Sequence, residues 1–188
     1  LKLSAVWSQD WQGIRITKFG TQLFWNWEYN PELYPDLPDM IKAINKKGIK
    51  FLGYINPMLA SDGAQFREAS EKGFLVKNAE GKDYLTYTTT FPIGVVDLSN
   101  PKARAWLKNI ITKNMIGTGL SGWMADFGEY LPPDCVMHDG DPYLYHNRYP
   151  AEWAKLNYEA LEETGKLGRI VFFTRSGYSG QSKYSTLM

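Results

Sequence analysis

Arg169-Ile170-Val171-Phe172-Phe173-Thr174 decides the fold class. An unbroken apolar run of β-branched and aromatic residues, too short for a helix, reads as a strand buried on both faces. Such strands belong to parallel sheets. Three more short apolar runs lie upstream, at Gly122–Ala125, Lys50–Ile55 and Leu3–Trp7. Helical patterns separate them. Pro38 to Lys47 carries Met40, Ile41 and Ile44 at helical spacing, with Gly48 placed to end the helix in the left-handed conformation. Pro101 to Met115 follows Asn100, a good N-cap, and puts proline at the first helical position. Its Ala105, Trp106, Ile110, Ile111 and Met115 read as one face, and Gly117 and Gly119 close it. A third helix, from about Ala151 to Glu163, carries Trp153, Leu156, Tyr158 and Leu161 and ends before Gly165.

This strand–helix alternation predicts an α/β chain of about four consecutive βα units with a parallel sheet. One insertion interrupts it. Phe74–Val76 and Tyr84–Tyr87 flank Asn78-Ala79-Glu80-Gly81-Lys82, the pattern of a β-hairpin. With no repeat, low-complexity tract or linker, residues 1–188 read as one domain. Four units do not close an eight-stranded barrel, which takes about 250 residues. The pattern fits either a small open sheet or part of a barrel, and a chain that opens on Leu1 reads as a piece of something longer.

Composition narrows the function. The 188 residues carry 21 Lys+Arg against 20 Asp+Glu, a net charge of +1, which gives no electrostatic reason to expect nucleic acid. No apolar stretch approaches the roughly 18 residues of a membrane span. Cys135 is the single cysteine, which excludes an internal disulfide and a multi-thiolate metal site. Without a signal-peptide pattern or glycosylation sequon nothing demands secretion, so a cytoplasmic location is expected over a secreted one. Seven Trp, twelve Tyr and nine Phe, clustered at Trp7, Trp11, Trp25, Trp27 and Tyr29, serve equally a large core or flat platforms for sugar rings.

In α/β architectures ligands bind where the strands end. The four expected strands are followed by Ser8-Gln9-Asp10-Trp11, Asn56-Pro57-Met58, Asp126-Phe127-Gly128-Glu129-Tyr130 and Arg175-Ser176-Gly177. The third end is the sharpest, because Asp126 follows the apolar Gly-Trp-Met-Ala and sits at the rim of a buried strand. Glycoside hydrolysis needs two carboxylates flanking the scissile bond. Asp126 suits one of them, and Glu129 either the other or a residue that orients loop and ligand; a plain capping carboxylate is the bland alternative. Asp126-Phe127-Gly128 also matches a kinase tripeptide, but its partner motifs are absent. His138 and His146 fit a solvated loop better than a metal site, and Cys135 has no evident base beside it.

The stretch Gly122-Trp123-Met124-Ala125-Asp126-Phe127-Gly128-Glu129-Tyr130-Leu131-Pro132 resembles glycoside hydrolase family 31, and within it the sulfoquinovosidase branch. So do Trp7-Ser8-Gln9-Asp10-Trp11-Gln12-Gly13-Ile14-Arg15, Phe51-Leu52-Gly53-Tyr54-Ile55-Asn56-Pro57, Val95-Val96-Asp97-Leu98 and Asn157 to Lys166. The resemblance covers essentially the whole chain. It implies part of a (β/α)8 barrel and retaining hydrolysis of α-glycosides, with a carbohydrate substrate and neither metal nor cofactor. Asp126 matches the family's nucleophile, Arg175 an arginine near the sugar, and Gln9 a substrate-contacting position. Trp11 and Trp25 are expected to shape the sugar pocket. The family's acid/base aspartate falls shortly after the Lys-Tyr-Ser-Thr segment, beyond Met188.

One position departs from the branch. Sulfoquinovosidases hold the sulfonate with an Arg-x-x-Trp pair; here Trp25 is present, but Gln22 stands at the arginine position. A neutral amide supplies no fixed charge. Lys18 is the nearest candidate to compensate. A catalytically inactive sugar-binding barrel, which would keep the aromatics and lose the chemistry, is the alternative reading.

Overall fold

The computed structural model describes residues 2–87 and 90–188. Leu1, at the start of the expected 1–188 domain, lies outside the described residues, as do Thr88 and Thr89. Its centre is a five-stranded sheet of β1 (Ala5–Trp7), β2 (Lys50–Ile55), β3 (Gly122–Ala125), β4 (Val171–Thr174) and β5 (Thr186–Leu187). Every pairing in it is parallel and follows chain order. This is the arrangement of a partial α/β barrel. Sequence reading found the first four strands and missed β5, which has two residues and no apolar run. β5 is held by its register, Thr186 opposite Phe173 and Leu187 opposite Thr174.

The expected helices form the outer layer as α1 (Leu37–Lys46), α2 (Pro101–Ile110) and α3 (Tyr149–Glu163). α1 ends as its sequence predicts: the N–H groups of Gly48 and Ile49 donate to Asn45 and Ile44 O, and Gly48 has φ of +77°. Asn100 caps α2, its side chain accepting from the N–H groups of Lys102 and Ala103. The buried face of α2 is Ala103, Leu107, Ile110, Ile111 and Met115, so Ala105, expected inside, is exposed. Trp106 is half-buried, its ring 5.8 Å from that of Phe74. The helical period accounts for this. At about 100° per residue the five buried side chains share one stripe and Ala105 falls on the opposite side; beyond Ile110 the helix widens into a π-turn over Ile111–Ile116.

α3 packs on β3 through Trp123, whose indole N–H donates to Asn157 Oδ1 at 2.9 Å. Across the surface Arg104 bonds Glu152 and Glu159, and Lys108 bonds Glu159 and Glu163, joining α2 to α3.

Two antiparallel additions sit where the strands end. Ile14–Thr17 pairs with Gly20–Leu23 as a two-stranded hairpin that sequence reading did not find. The hairpin expected around Asn78–Lys82 is only partly formed. Its turn closes (Asn78 N–H to Lys82 O, 2.8 Å) and Lys77 pairs with Asp83, but Leu85–Thr86 leaves to pair with Ile93–Val95. Ile93–Val95 also pairs with Met58–Ala60, making a three-stranded sheet. Ile93, Val95 and Met58 are fully buried, and that apolar area outweighs a local hairpin with a polar outer arm. Among the described residues no helix is long and apolar enough to cross a membrane.

Candidate active site

Strand alternation builds the site. Side chains two apart point to one face of a sheet, and the register carries that face from strand to strand. Trp7 opposes Leu52, Tyr54 opposes Met124, and Met124 opposes Phe173. Trp7, Tyr54, Met124 and Phe173 therefore share one face, with Gln9, Asp126, Arg175 and Met188 in the same phase beyond the strand ends. A cavity of about 380 Å³ opens there, lined from this set by Trp7, Gln9, Tyr54, Met124, Asp126, Arg175 and Met188. Gln22, Leu23, Trp25, Phe91 and Phe127 close it from the side of the hairpin and the loops.

Asp126 is 8% exposed, and each of its oxygens is held. Oδ2 accepts from the Tyr54 hydroxyl at 2.7 Å, and Oδ1 accepts from Arg175 Nε at 2.8 Å. Burial and the charge of Asp126 push the Tyr54 phenol far above its ordinary range, so it stays a neutral donor. Burial works against the Arg175 guanidinium, but its hydrogen bonds to Asp126 and Glu129 more than offset this and raise it above its ordinary value. Glu129 Oε1 accepts from Arg175 Nη2 at 2.7 Å, and its Oε2 accepts from the Ser176 hydroxyl. Glu129 itself does not line the cavity; it braces the arginine.

The aromatic wall carries unusual backbone. Trp25 and Phe127 both have φ of +61°, a region that bulky L residues rarely enter. Their rings meet edge to face at 5.4 Å, and Trp25 meets Phe91 at the same distance. The Arg175 guanidinium lies 4.9 Å from the Phe127 ring centre. Gly128 follows with φ of +119°, and a Cβ there would sit 2.9 Å from Pro150 Cα. Only glycine lets the Asp126 loop cross so close to the start of α3.

Of the residues singled out from sequence, Asp126, Arg175, Gln9, Gln22 and Trp25 meet at the cavity. Trp11 does not. It is fully buried, and its indole N–H donates to Tyr54 O at 2.8 Å, making it a support beneath the strand rather than a pocket wall. Lys18, offered as a substitute cation for Gln22, is exposed near the hairpin tip, 5.0 Å from the Phe19 ring and away from the cavity. Sequence reading missed Tyr54, Trp7 and Phe91. The phase of the alternation held the signal for Tyr54 and Trp7; nothing local pointed to Phe91. Among the described residues there is no group of three or more His, Cys, Asp or Glu side chains placed to hold a metal ion.

The chain is 55% identical to the sulfoquinovosidase of Escherichia coli (strain K12) over 189 residues and 44% identical to that of Agrobacterium fabrum. Both alignments take 100% of this chain and 28% of the relative, so the chain spans little more than a quarter of those proteins. The solved structure of a sulfoquinovosidase from E. rectale, in complex with an aza-sugar inhibitor, superposes with a TM-score of 0.95 at 52% identity, over 99% of this chain and 28% of that one. The family model of the glycosyl hydrolases family 31 TIM-barrel domain matches residues 3–188. On that match, the chain belongs to glycosyl hydrolase family 31, as part of its TIM-barrel domain.

Proposed function

We propose that this chain supplies the nucleophile and much of the sugar pocket of a retaining α-glycosidase. One observation carries the reading: a nearly buried carboxylate, Asp126, held through both oxygens at the floor of an aromatic-walled cavity at the strand ends. In the first step an Asp126 oxygen bonds to the anomeric carbon while the glycosidic C–O bond breaks. The leaving oxygen takes a proton from an acid outside this chain. In the second step water attacks the same carbon, passing its proton to the conjugate base of that acid, and the Asp126 carboxylate leaves. Tyr54 and Arg175 fix the attacking geometry in the first step and stabilise the departing carboxylate in the second. Trp25, Trp7 and Phe91 supply apolar faces for the ring.

Charge favours a neutral sugar. Among the described residues lining the cavity, Arg175 is the one Lys or Arg, and it is already paired with both Asp126 and Glu129. The relatives named above are sulfoquinovosidases, so a sulfonated glycoside is the competing substrate to test. The test is a panel of nitrophenyl α-glycosides with the full-length protein, following the first-formed anomer by NMR. Release of the α-anomer supports the reading, and release of the β-anomer contradicts it.

A further inference from the structure

We infer that Gln12 is a positioning residue for the sugar cavity, acting through the strained backbone of Trp25. The inference rests on the glycosidase reading only for the identity of the ligand. Residues 24–27 leave the hairpin without a strand partner, so their backbone groups need partners from elsewhere. Phe24 N–H donates to Gly13 O at 3.1 Å, and Trp25 O accepts from Ala60 N–H at 3.1 Å. Trp27 N–H donates to Gln65 Oε1 at 2.6 Å, and Trp27 O accepts from Asn114 Nδ2 at 2.7 Å. The remaining two donors, the N–H groups of Trp25 and Asn26, both point at Gln12 Oε1, at 2.7 and 3.4 Å.

This is what a positive φ does: it turns successive N–H groups toward one acceptor, forming a small concave nest. Gln12 is 2% exposed, so no bulk water replaces its oxygen if it is lost. Its other end reaches the first loop, where Nε2 donates to Gln9 O at 3.3 Å. Gln9 and Trp25 both line the cavity, and Gln12 does not. One buried amide therefore ties the loop after β1 to the aromatic wall and keeps the Trp25 indole turned toward Phe127 and Phe91.

The test uses the full-length protein with Gln12→Met, which keeps the side chain's length and loses both the acceptor and the donor, and Gln12→Glu, which keeps an acceptor oxygen for the Trp25 and Asn26 N–H groups and loses the donor to Gln9 O. Calorimetry with 1-deoxynojirimycin should show Kd weakened roughly tenfold or more in Gln12→Met, which leaves the buried Trp25 N–H unpaired, and weakened clearly less in Gln12→Glu, which keeps that acceptor. KM should rise in Gln12→Met while kcat per titrated site stays within about threefold. In a Trp25→Ala background Gln12→Met should add no further loss, because its effect runs through Trp25. Hydrogen exchange supplies a readout without sugar: the Trp25 and Asn26 amides should exchange faster in Gln12→Met and near wild type in Gln12→Glu. Faster exchange with no sugar binding even in wild type would sink the glycosidase reading and leave the role of Gln12 standing. Unchanged exchange in Gln12→Met, additive losses with Trp25→Ala, or a Gln12→Glu variant as weak as Gln12→Met would overturn the inference.

Discussion

Asp126 gains its orientation from two donors of different kinds, and they separate experimentally. Tyr54→Phe removes only the hydroxyl at Oδ2. A hydrogen bond to a charged group is worth about 1.5–3 kcal/mol, so kcat should fall roughly tenfold to a hundredfold at 1.4 kcal/mol per decade. Steady-state rates with unchanged thermal unfolding would check this. On the proposed reading, Gln22, which lines the cavity, sets the preference for substrate charge. Gln22→Arg should raise kcat/KM for a sulfoquinovoside relative to the matching glucoside by roughly tenfold or more, the size of one charge-assisted contact. A wild type that already strongly favours the sulfosugar would mean another cation, outside these residues, serves the anion. Asp10 gives a pH signature. Burial opposes its charge, but hydrogen bonds from the Ser8 and Tyr34 hydroxyls at 2.7 and 2.6 Å outweigh that and hold its carboxyl below the usual range. A depressed carboxylate stabilises the fold above its unfolded pKa and loses that contribution as pH falls through the folded value. Tyr34→Phe should therefore lower Tm at pH 7, with the difference from wild type shrinking below about pH 4; a constant difference down to pH 3 would contradict the assignment. Asp126 and Arg175 were legible as strand-end residues because each closes a short strand-like run, while their roles came from the family resemblance. Tyr54 was not, since a tyrosine inside Phe51-Leu52-Gly53-Tyr54-Ile55 reads as core until the register shows its face. Trp11 erred the other way: clustering with other aromatics does not say which of them face the ligand.

At the scale of elements, the four long strands and three outer helices announced themselves through apolar period and capping residues. Of what escaped, the helix Ala64–Glu71 has few apolar residues to mark a face, and two strands depend on distant partners. β5 exists because β4 offers an edge, and Leu85–Thr86 abandons its neighbour for Ile93–Val95 because burial there is greater. The hairpin Ile14–Thr17 and Gly20–Leu23 did carry a signal, since Ile14-Arg15-Ile16-Thr17 alternates with β-branched residues before Gly20. The join between α2 and α3 is open to a direct test. Arg104 is 17% exposed, between Glu152 and Glu159 at 14% and 24%. Arg104→Ala should cost about 1–3 kcal/mol by leaving partly buried carboxylates short of a partner. Tm should fall by several degrees with kcat/KM unchanged, because the cluster lies outside the cavity. A loss of activity at unchanged Tm would place this helix pair in the chemistry instead.

At the scale of the whole molecule, the five parallel strands bring residues from five stretches of chain to one face and leave β1 and β5 as the edges of the sheet. Met188, the residue after β5, lines the cavity. On the reading proposed above, Asp126 is the point of covalent attachment. The most direct test is to trap the intermediate in the full-length protein with 5-fluoro-α-glucosyl fluoride and map the adduct by mass spectrometry. The label should fall on Asp126, and Asp126→Asn should lose both label and turnover while melting like the wild type. A label on another residue, or an Asn variant that still turns over, would contradict the account.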